Sequence, residues 1–589
     1  MTYKQKICLL QKSMIENKID IYIVLNSDPH LSEYLTQHYQ CISFMSGFKG
    51  SYGVLIFTHD KAFLWTDGRY WLQVQKELKE SGVILKKQDT NHTFKDWIKE
   101  YCNPQTTIGI DFKTLPLALE NDLKKYCNLI HSDLISKIWI NRPELPTYSI
   151  YEHPKKFYSL SREDKIILIR KEMKRLRADA HFISSLDDIA WILNLRGKDI
   201  EFNPLFFSFL LITKQQILFF INPEKLNHFL KNKLQNEGII LKNYENIYKE
   251  LKNLKNTTLL IDPNKTTSFF LQDLKNTTII QDLNPSTYLK SCKDEKEISC
   301  IKKAMIEDGI ALCRFCSWFE ENIHLGFNEF EIGRKLSEFR SKSPYYISDS
   351  FANIVGFNAN GAIIHYKADE KNSSLIKENG LLLIDSGGQY LNGTTDITRV
   401  FPIGKISAKQ KKDYTLILKA LISISTTIFP KNISMPLLDS ITRKPLWQQQ
   451  INYNHGSGHG VGYFLSVHEG PQNLSYTTMP SFKHQTKKGM ISSLEPGIYR
   501  KDKWGIRLEN LAIILDVKKP KEQEFGDYLY FKTLTLFPFE KKCIDLKLLN
   551  SKEKKWLNDY HKEVYKKLHK KLQVKELKWL KKKTAPIKF

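Results

Sequence analysis

Residues 381–400 read LLLIDSGGQYLNGTTDITRV, and two aspartates, Asp385 and Asp396, interrupt what otherwise patterns as buried strand. An ionised carboxylate buried without a partner costs many kcal/mol. Whatever this segment folds into must therefore supply a partner for both. Leu391, Asn392 and Gly393 lie between them and make a good hairpin turn. Folding that hairpin is expected to set the two carboxylates side by side across adjacent strands, which is tolerable only if one is protonated or a cation lies between them.

A second arrangement of the same kind follows. ISSLEPGIY and GIRLENLAIIL place Glu495 and Glu509 on two strands joined by the polar turn RKDKW, and NHGSGHGVG, a glycine-rich loop between the hairpins, offers His455 and His459. Alone, each of these residues has an ordinary explanation: a strand-end cap, an edge glutamate, a locally satisfied histidine. Two Asp, two Glu and at least one His together can instead neutralise and coordinate two divalent ions. An oxygen-rich set without a thiolate favours harder ions such as Mn²⁺ over structural zinc.

The chain around this constellation is 589 residues long, too long for one core, and the length suggests about three or four domains. No run of about 18 apolar residues occurs, so no transmembrane helix is expected, and the amphipathic start MTYKQKICLLQKSMIENKID lacks the apolar centre of a signal peptide. The cysteines are scattered singly apart from Cys313 and Cys316, whose heptad-like neighbours favour core packing, so reduced thiols and a cytoplasmic location are expected. Net charge is +25, but the lysines are dispersed and no nucleic-acid motif accompanies them. A lysine-rich surface is the expected meaning, with neither nucleic acid nor membrane as partner. In the basic C-terminus, Trp556, Tyr560, Val564, Leu568 and Leu572 recur every four residues, so one helix face can pack while the lysines stay in water.

Two N-terminal stretches echo each other. Each runs helix, strand, acidic turn (Asp28; Asp187 and Asp188), helix, glycine (Gly47; Gly197) and strand hairpin, with the proline-marked stretch NRPELPTYSIYEHP between them. The expected domains are 1–145 and 146–290, both α/β, then 291–540 carrying the chemistry, and a helical extension over 541–589.

LLLIDSGGQYLNGTTDITR, HGSGHGVG, SLEPGIY and GIRLEN resemble the metal-site motifs of the pita-bread metallopeptidases, within them the long, three-domain Xaa-Pro aminopeptidases. SGFKGSYGVLI, LWTDGRYWLQ, DDIAWILNLRG, NANGAIIHY and VHEGPQ extend the resemblance over nearly the whole chain. It implies two related creatinase-like α/β domains followed by a pita-bread α+β catalytic domain, in a homodimer acting on proline-containing peptides. The implied reaction releases the residue ahead of a proline in second position, by attack of a hydroxide bridging two metals.

Carried over position by position, the resemblance makes Asp385 a ligand of one metal, His459 and Glu495 ligands of the other, and Asp396 and Glu509 bridges; Glu495 is counted among the catalytic residues as well. His365 and His468 resemble the family's substrate-binding and proton-shuttling pair, and His455 a position close to the site. Tyr499 and Arg507, counted with the substrate-binding set, resemble residues that brace the ligand carboxylates. Phe351 resembles the wall of the proline pocket, where relatives often have Tyr. Arg69 resembles a residue reaching substrate from the N-terminal domain, with a capping ion pair to Asp67 as the equal alternative. Two rival functions stand beside the main one. A prolidase would cleave only Xaa-Pro dipeptides, although two full N-terminal units argue against its shorter layout. A non-catalytic basic binding protein on the same fold would not need all five ligands.

Overall fold

The computed structural model describes every residue except 90, 378, 520, 521, 523 and 589. Two compact units divide the chain: Met1–His153 with Leu160–Thr287, and Pro154–Ser159 with Tyr288–Phe589. Among the described residues no helix is long and apolar enough to cross a membrane.

The first unit contains the duplication that the sequence echo predicted. Each copy opens on a fourteen-residue helix, Tyr3–Glu16 and Arg162–Arg175, started by a capping box, Thr2 with Gln5 and Ser161 with Asp164. Such a cap satisfies two otherwise orphaned amides and is worth about 1 kcal/mol. Each copy then builds a six-stranded mixed sheet. The first runs Ile84–Lys87, Ala62–Thr66, Val54–Phe57, Ile21–Leu25, Thr107–Ile110, Asn128–His131; the second runs Ile239–Lys242, Ile217–Ile221, Ser208–Thr213, Ala180–Ile183, Thr257–Ile261, Thr277–Gln281. Across both, neighbouring pairs are parallel, antiparallel, antiparallel, parallel and parallel. Identical order and direction, at low visible sequence similarity, follow from strands such as IYIVL and AHFI that are buried on both faces and carry only a general apolar signal.

His30 joins the two copies. Its ring is buried 4.4 Å from Phe209, Nδ1 lies 2.7 Å from the Ser184 carbonyl, and Nε2 lies 2.8 Å from the Tyr244 hydroxyl. The ring therefore donates from Nδ1 and accepts at Nε2. Asp28, in the acidic turn, is fully buried and accepts from the amides of His30 and Ser32.

The second unit is α+β. A sheet of Ile354–Phe357, Gly380–Ser386 and Ile397–Ile403 and a sheet of Ile428–Pro430, Tyr528–Thr533, Asn510–Asp516 and Ile491–Leu494 carry its centre. The 28-residue helix Glu295–Asn322 and the helix Ala408–Ser425 contribute Cys313, Cys316, Ile417 and Leu421 to one continuous core with these strands, so both cysteines are packing residues. The helix Ser551–Leu568 buries Tyr560, Val564 and Leu568 in the same core, with Trp556 partly buried against it, while Leu572, the last of the predicted series, packs on the core from beyond the end of this helix. The four-residue apolar recurrence thus marks a packed face.

Burial lowers the pKa of His30 from 6.5 to about 3 and that of His181 from 6.5 to about 4. Both rings are neutral in the fold at neutral pH, whereas the unfolded chain takes up protons below about pH 6.5. Stability is therefore fully present above that value and falls with pH towards the folded values. At pH 5.5 each histidine should cost about 1.4 kcal/mol. Urea unfolding followed at pH 7.5 and 5.5 should show the earlier midpoint at pH 5.5, with a smaller difference in His30→Gln.

Candidate metal centre

The acidic strands converge, with one departure from expectation. Leu391 and Asn392 do turn a hairpin, with Gly393 already in its second arm, but its arms are the short strands Gly388–Tyr390 and Gly393–Thr394. The strand carrying Asp385 pairs one layer further back, Asp385 opposite Thr398 and Ser386 opposite Ile397. Asp396 precedes that strand, so the two carboxylates stand diagonally and not directly opposite each other. A register set by the outer hairpin leaves room between them.

The second pair is more directly opposed. Leu494 pairs with Asn510 in one sheet, while Gly497 pairs with Arg507 in the next. Glu495 and Glu509 fall in the gap where the long hairpin passes from sheet to sheet. The turn after Arg500 is the expected one. His459 arrives from the glycine loop, part of which is a strand: Gly458–His459 pairs with Asn473–Leu474. Gly458 has a steric reason, since a Cβ there would lie 2.0 Å from the Ser493 carbonyl oxygen.

His459 Nε2 lies 3.4 Å from Glu495 Oε1 and 3.6 Å from Asp396 Oδ2, while its Nδ1 lies 2.9 Å from the Gly460 carbonyl. That bond fixes the tautomer with Nε2 facing the carboxylates. Asp396, His459 and Glu509 each present a ligand atom within 4.8 Å of the others and could hold an ion. Asp385 Oδ1 and Glu509 Oε1 are buried without a hydrogen-bond partner. Polar atoms in that condition call for an ion or water.

The electrostatics agree. Burial first, then Asp385 and Glu495, push the Asp396 carboxyl well up; burial, then Asp396, Glu495 and Asp385, do the same to Glu509. Burial raises Glu495 to about 7, Arg507 opposing and Asp385 adding. Four carboxylates thus share a largely buried site in which Arg507 and His468, among the described residues, act against the rise. The donor set and the orphaned oxygens fit a pair of divalent ions.

Around this cage a chain of hydrogen bonds braces Asp385. Arg507 donates from Nη2 to Asp385 Oδ2 at 2.6 Å, from Nη1 to the Tyr499 hydroxyl at 2.7 Å and from Nε to Thr398 Oγ1 at 3.2 Å. Tyr499 in turn lies 2.9 Å from His455 Nε2, whose Nδ1 lies 2.7 Å from the Gly456 carbonyl. Arg507 and Tyr499 are accordingly committed to Asp385 and His455, a bracing arrangement in place of an open substrate surface. His455 satisfies its own loop and is linked to the cage at the same time.

The remaining predicted residues are placed as follows. The His468 ring stands perpendicular to His459 with centroids 4.3 Å apart. His365 follows the short helix Asn358–Ala362, which packs against the strands bearing Asp385, Tyr499 and Arg507. Phe351 is buried beside Ser350, whose hydroxyl donates to the carbonyl of Thr395, the neighbour of Asp396. Arg69 belongs to the first unit and grips Asp67 from Nε at 2.9 Å and Nη2 at 2.7 Å, the capping pair that was the alternative reading.

Sequence reasoning missed three contributors. Thr398 donates to Glu509 Oε2 at 2.8 Å, and its place two residues after Asp396 was the available signal. Ser493 donates to Glu495 Oε1 at 3.0 Å and accepts from the His459 amide at 3.0 Å. Buried Arg443, paired with Asp439, donates to the carbonyls of Tyr453 and His455 and fixes the glycine loop from behind. Nothing in sequence spacing announces that last clamp.

Comparison with known proteins assigns the class. Residues 299–516 match the model of metallopeptidase family M24 and residues 527–587 its C-terminal region, while residues 6–136 and 141–297 each match a creatinase/prolidase N-terminal domain. The chain is 36% identical to a probable Xaa-Pro aminopeptidase P of Laccaria bicolor, over 99% of this chain and 93% of the relative. It is 35% identical to Xaa-Pro aminopeptidase 1 of Dictyostelium discoideum, over 99% and 96%. Its structure superposes on X-prolyl aminopeptidase from Caenorhabditis elegans, described as a cytosolic enzyme with a di-nuclear active site, with a TM-score of 0.94, 28% identity and full coverage of both chains. The chain therefore belongs to metallopeptidase family M24, in its Xaa-Pro aminopeptidase P branch.

Replacing Asp396 with Asn removes a carboxyl whose charged form is disfavoured by burial and by Asp385 and Glu495. The chelator-stripped variant should be more stable than the stripped parent by about 1–3 kcal/mol. Added Mn²⁺ should raise the melting temperature of the parent and scarcely move that of the variant, as differential scanning calorimetry would show.

Proposed function

We propose that this chain is a metal-dependent aminopeptidase releasing the N-terminal residue from peptides with proline in second position. The observation that carries the reading is the buried cage itself, in which Asp385 Oδ1 and Glu509 Oε1 are acceptors without donors. Asp385, Asp396, His459, Glu495 and Glu509 would hold two divalent cations, Mn²⁺ best suited to so oxygen-rich a set. When bound, such ions supply Lewis acidity towards the scissile carbonyl and lower the pKa of water.

The chain's own residues do the rest. Arg507 holds Asp385 from behind, and Thr398 and Ser493 orient Glu509 and Glu495. Glu495 doubles as proton acceptor, and His468, stacked edge-on at His459, and His365 orient the substrate carbonyl and pass protons. His455 serves through its bond with Tyr499. Phe351 walls the proline pocket, and Arg69 recognises peptide from the N-terminal part of the chain. An Xaa-Pro bond is a tertiary amide whose preceding residue is conformationally restricted, so a dedicated pocket is needed. We further infer domains 1–145, 146–290, 291–540 and 541–589, the first two close to the two N-terminal family matches, a homodimer, and a cytoplasmic enzyme, as the nematode relative is described.

With Mn²⁺ present, Xaa-Pro-Yaa should release free Xaa at least about 100-fold faster than Xaa-Ala-Yaa, as expected when only one substrate fills a dedicated pocket. Equal rates would remove the proline assignment, and cleavage confined to Xaa-Pro dipeptides would make the protein a prolidase. Plasma emission analysis should count two ions per chain, falling sharply in Asp396→Ala together with activity.

A further inference from the structure

Glu329 is fully buried at the start of the helix Glu329–Arg340, yet every group that donates to its carboxylate is uncharged. Oε1 accepts from the Phe357 amide at 2.6 Å; Oε2 accepts from the Ser374 amide and the Tyr366 hydroxyl, both at 2.8 Å; the Asn360 side-chain amide lies 3.0 Å from each oxygen. The Glu329 amide also donates to the Ser374 carbonyl at 3.1 Å. Phe357 and Ser374 are the two ends of one excursion of the chain. Asn360 and Tyr366 lie within it, and His365 immediately precedes Tyr366.

A buried carboxylate is costly unless its acceptors are filled by well-directed donors. Here four different parts of one segment fill them. A cheaper way to close a loop would be an apolar contact, so the arrangement is better suited to holding a geometry than to adding stability. The segment needs such holding because its crown is pressed against the site. A Cβ on Gly505 would fall 1.6 Å from the Gly361 carbonyl oxygen, so the segment's backbone lies directly on the strand Trp504–Arg507 that carries Arg507.

We propose that Glu329 is a positioning residue for His365: by closing the 357–374 excursion at its base, its carboxylate fixes where the imidazole meets the substrate. The proposal rests on the reading that His365 faces substrate. Displacements of about 1 Å in a positioning element can cost on the order of 100-fold in rate.

The test is a double-mutant cycle with full-length, Mn²⁺-loaded protein and an Xaa-Pro-Yaa peptide. Glu329→Gln keeps the shape but places an amide donor where one oxygen accepted from two or three donors. It should lower kcat/KM by about 10- to 100-fold in the parent and by less than about threefold in the His365→Ala background, because coupled residues are non-additive. Two ions per chain should remain bound. Tyr366→Phe, which removes one donor and leaves the carboxylate, should show the same pattern at about 3- to 10-fold, and it carries the test if Glu329→Gln does not fold. An equal loss in both backgrounds would make Glu329 a general structural residue and overturn the proposal, as would full activity of both variants. Full activity of His365→Ala would refute the role of His365 itself, and any positioning of it, while leaving the five-ligand cage untouched.

Discussion

Mutual repulsion among four buried carboxylates is the constraint around which the second unit is arranged. Burial raises the proton affinity of Asp396, Glu495 and Glu509, and the nearby carboxylates, Asp385 among them, raise it further. Only one guanidinium answers them directly. Burial opposes the charge on Arg507, but Tyr499, Asp385 and Glu495 hold it in place. Arg507 and His468 favour the charged forms, yet two carboxylate oxygens are still left without donors and mark where a cation fits.

Local irregularities of the fold serve that cage. The long hairpin changes sheets at the residues where Glu495 and Glu509 stand, which frees both side chains from ladder neighbours. The Asp385 strand pairs with Thr398, so Asp396 is left just outside regular structure and diagonal to its partner. A diagonal pair stands farther apart than a directly opposed one. Glycine at 458 lets the histidine strand lie against the Ser493 carbonyl. Behind these first residues a layer of neutral donors and the Asp439–Arg443 pair orients the ligand side chains and the glycine loop.

Much of the site was legible because carboxylates in apolar strands violate the ordinary pattern, and each violation is visible residue by residue. Asp385, Asp396, Glu495 and Glu509 stood out this way, whereas His459 was one of two histidines in the glycine loop and was singled out by the family resemblance. The duplication of the first unit was legible more faintly, through repeated order of elements. Ser493, Arg443 and Glu329 were not legible, because Ser, Arg and Glu in those contexts are statistically ordinary and acquire meaning only from partners far away in the chain, and Thr398 offered only its closeness to Asp396. Arg69 shows the converse: two roles fitted its sequence context equally, and the grip on Asp67 is visible only in three dimensions.

The sequence by itself determined which groups must be compensated, since hydrophobic periodicity fixes what is buried and charge fixes what burial costs. It also determined the order of elements and the packed face of the C-terminal helix, both local consequences of spacing. Tertiary structure alone decided the register that sets Asp385 diagonal to Asp396, the break between sheets at the two glutamates, and the closure of the 357–374 excursion by Glu329. Those depend on pairings between residues tens of positions apart, and no local propensity encodes a distance between two points of the chain that only folding brings together.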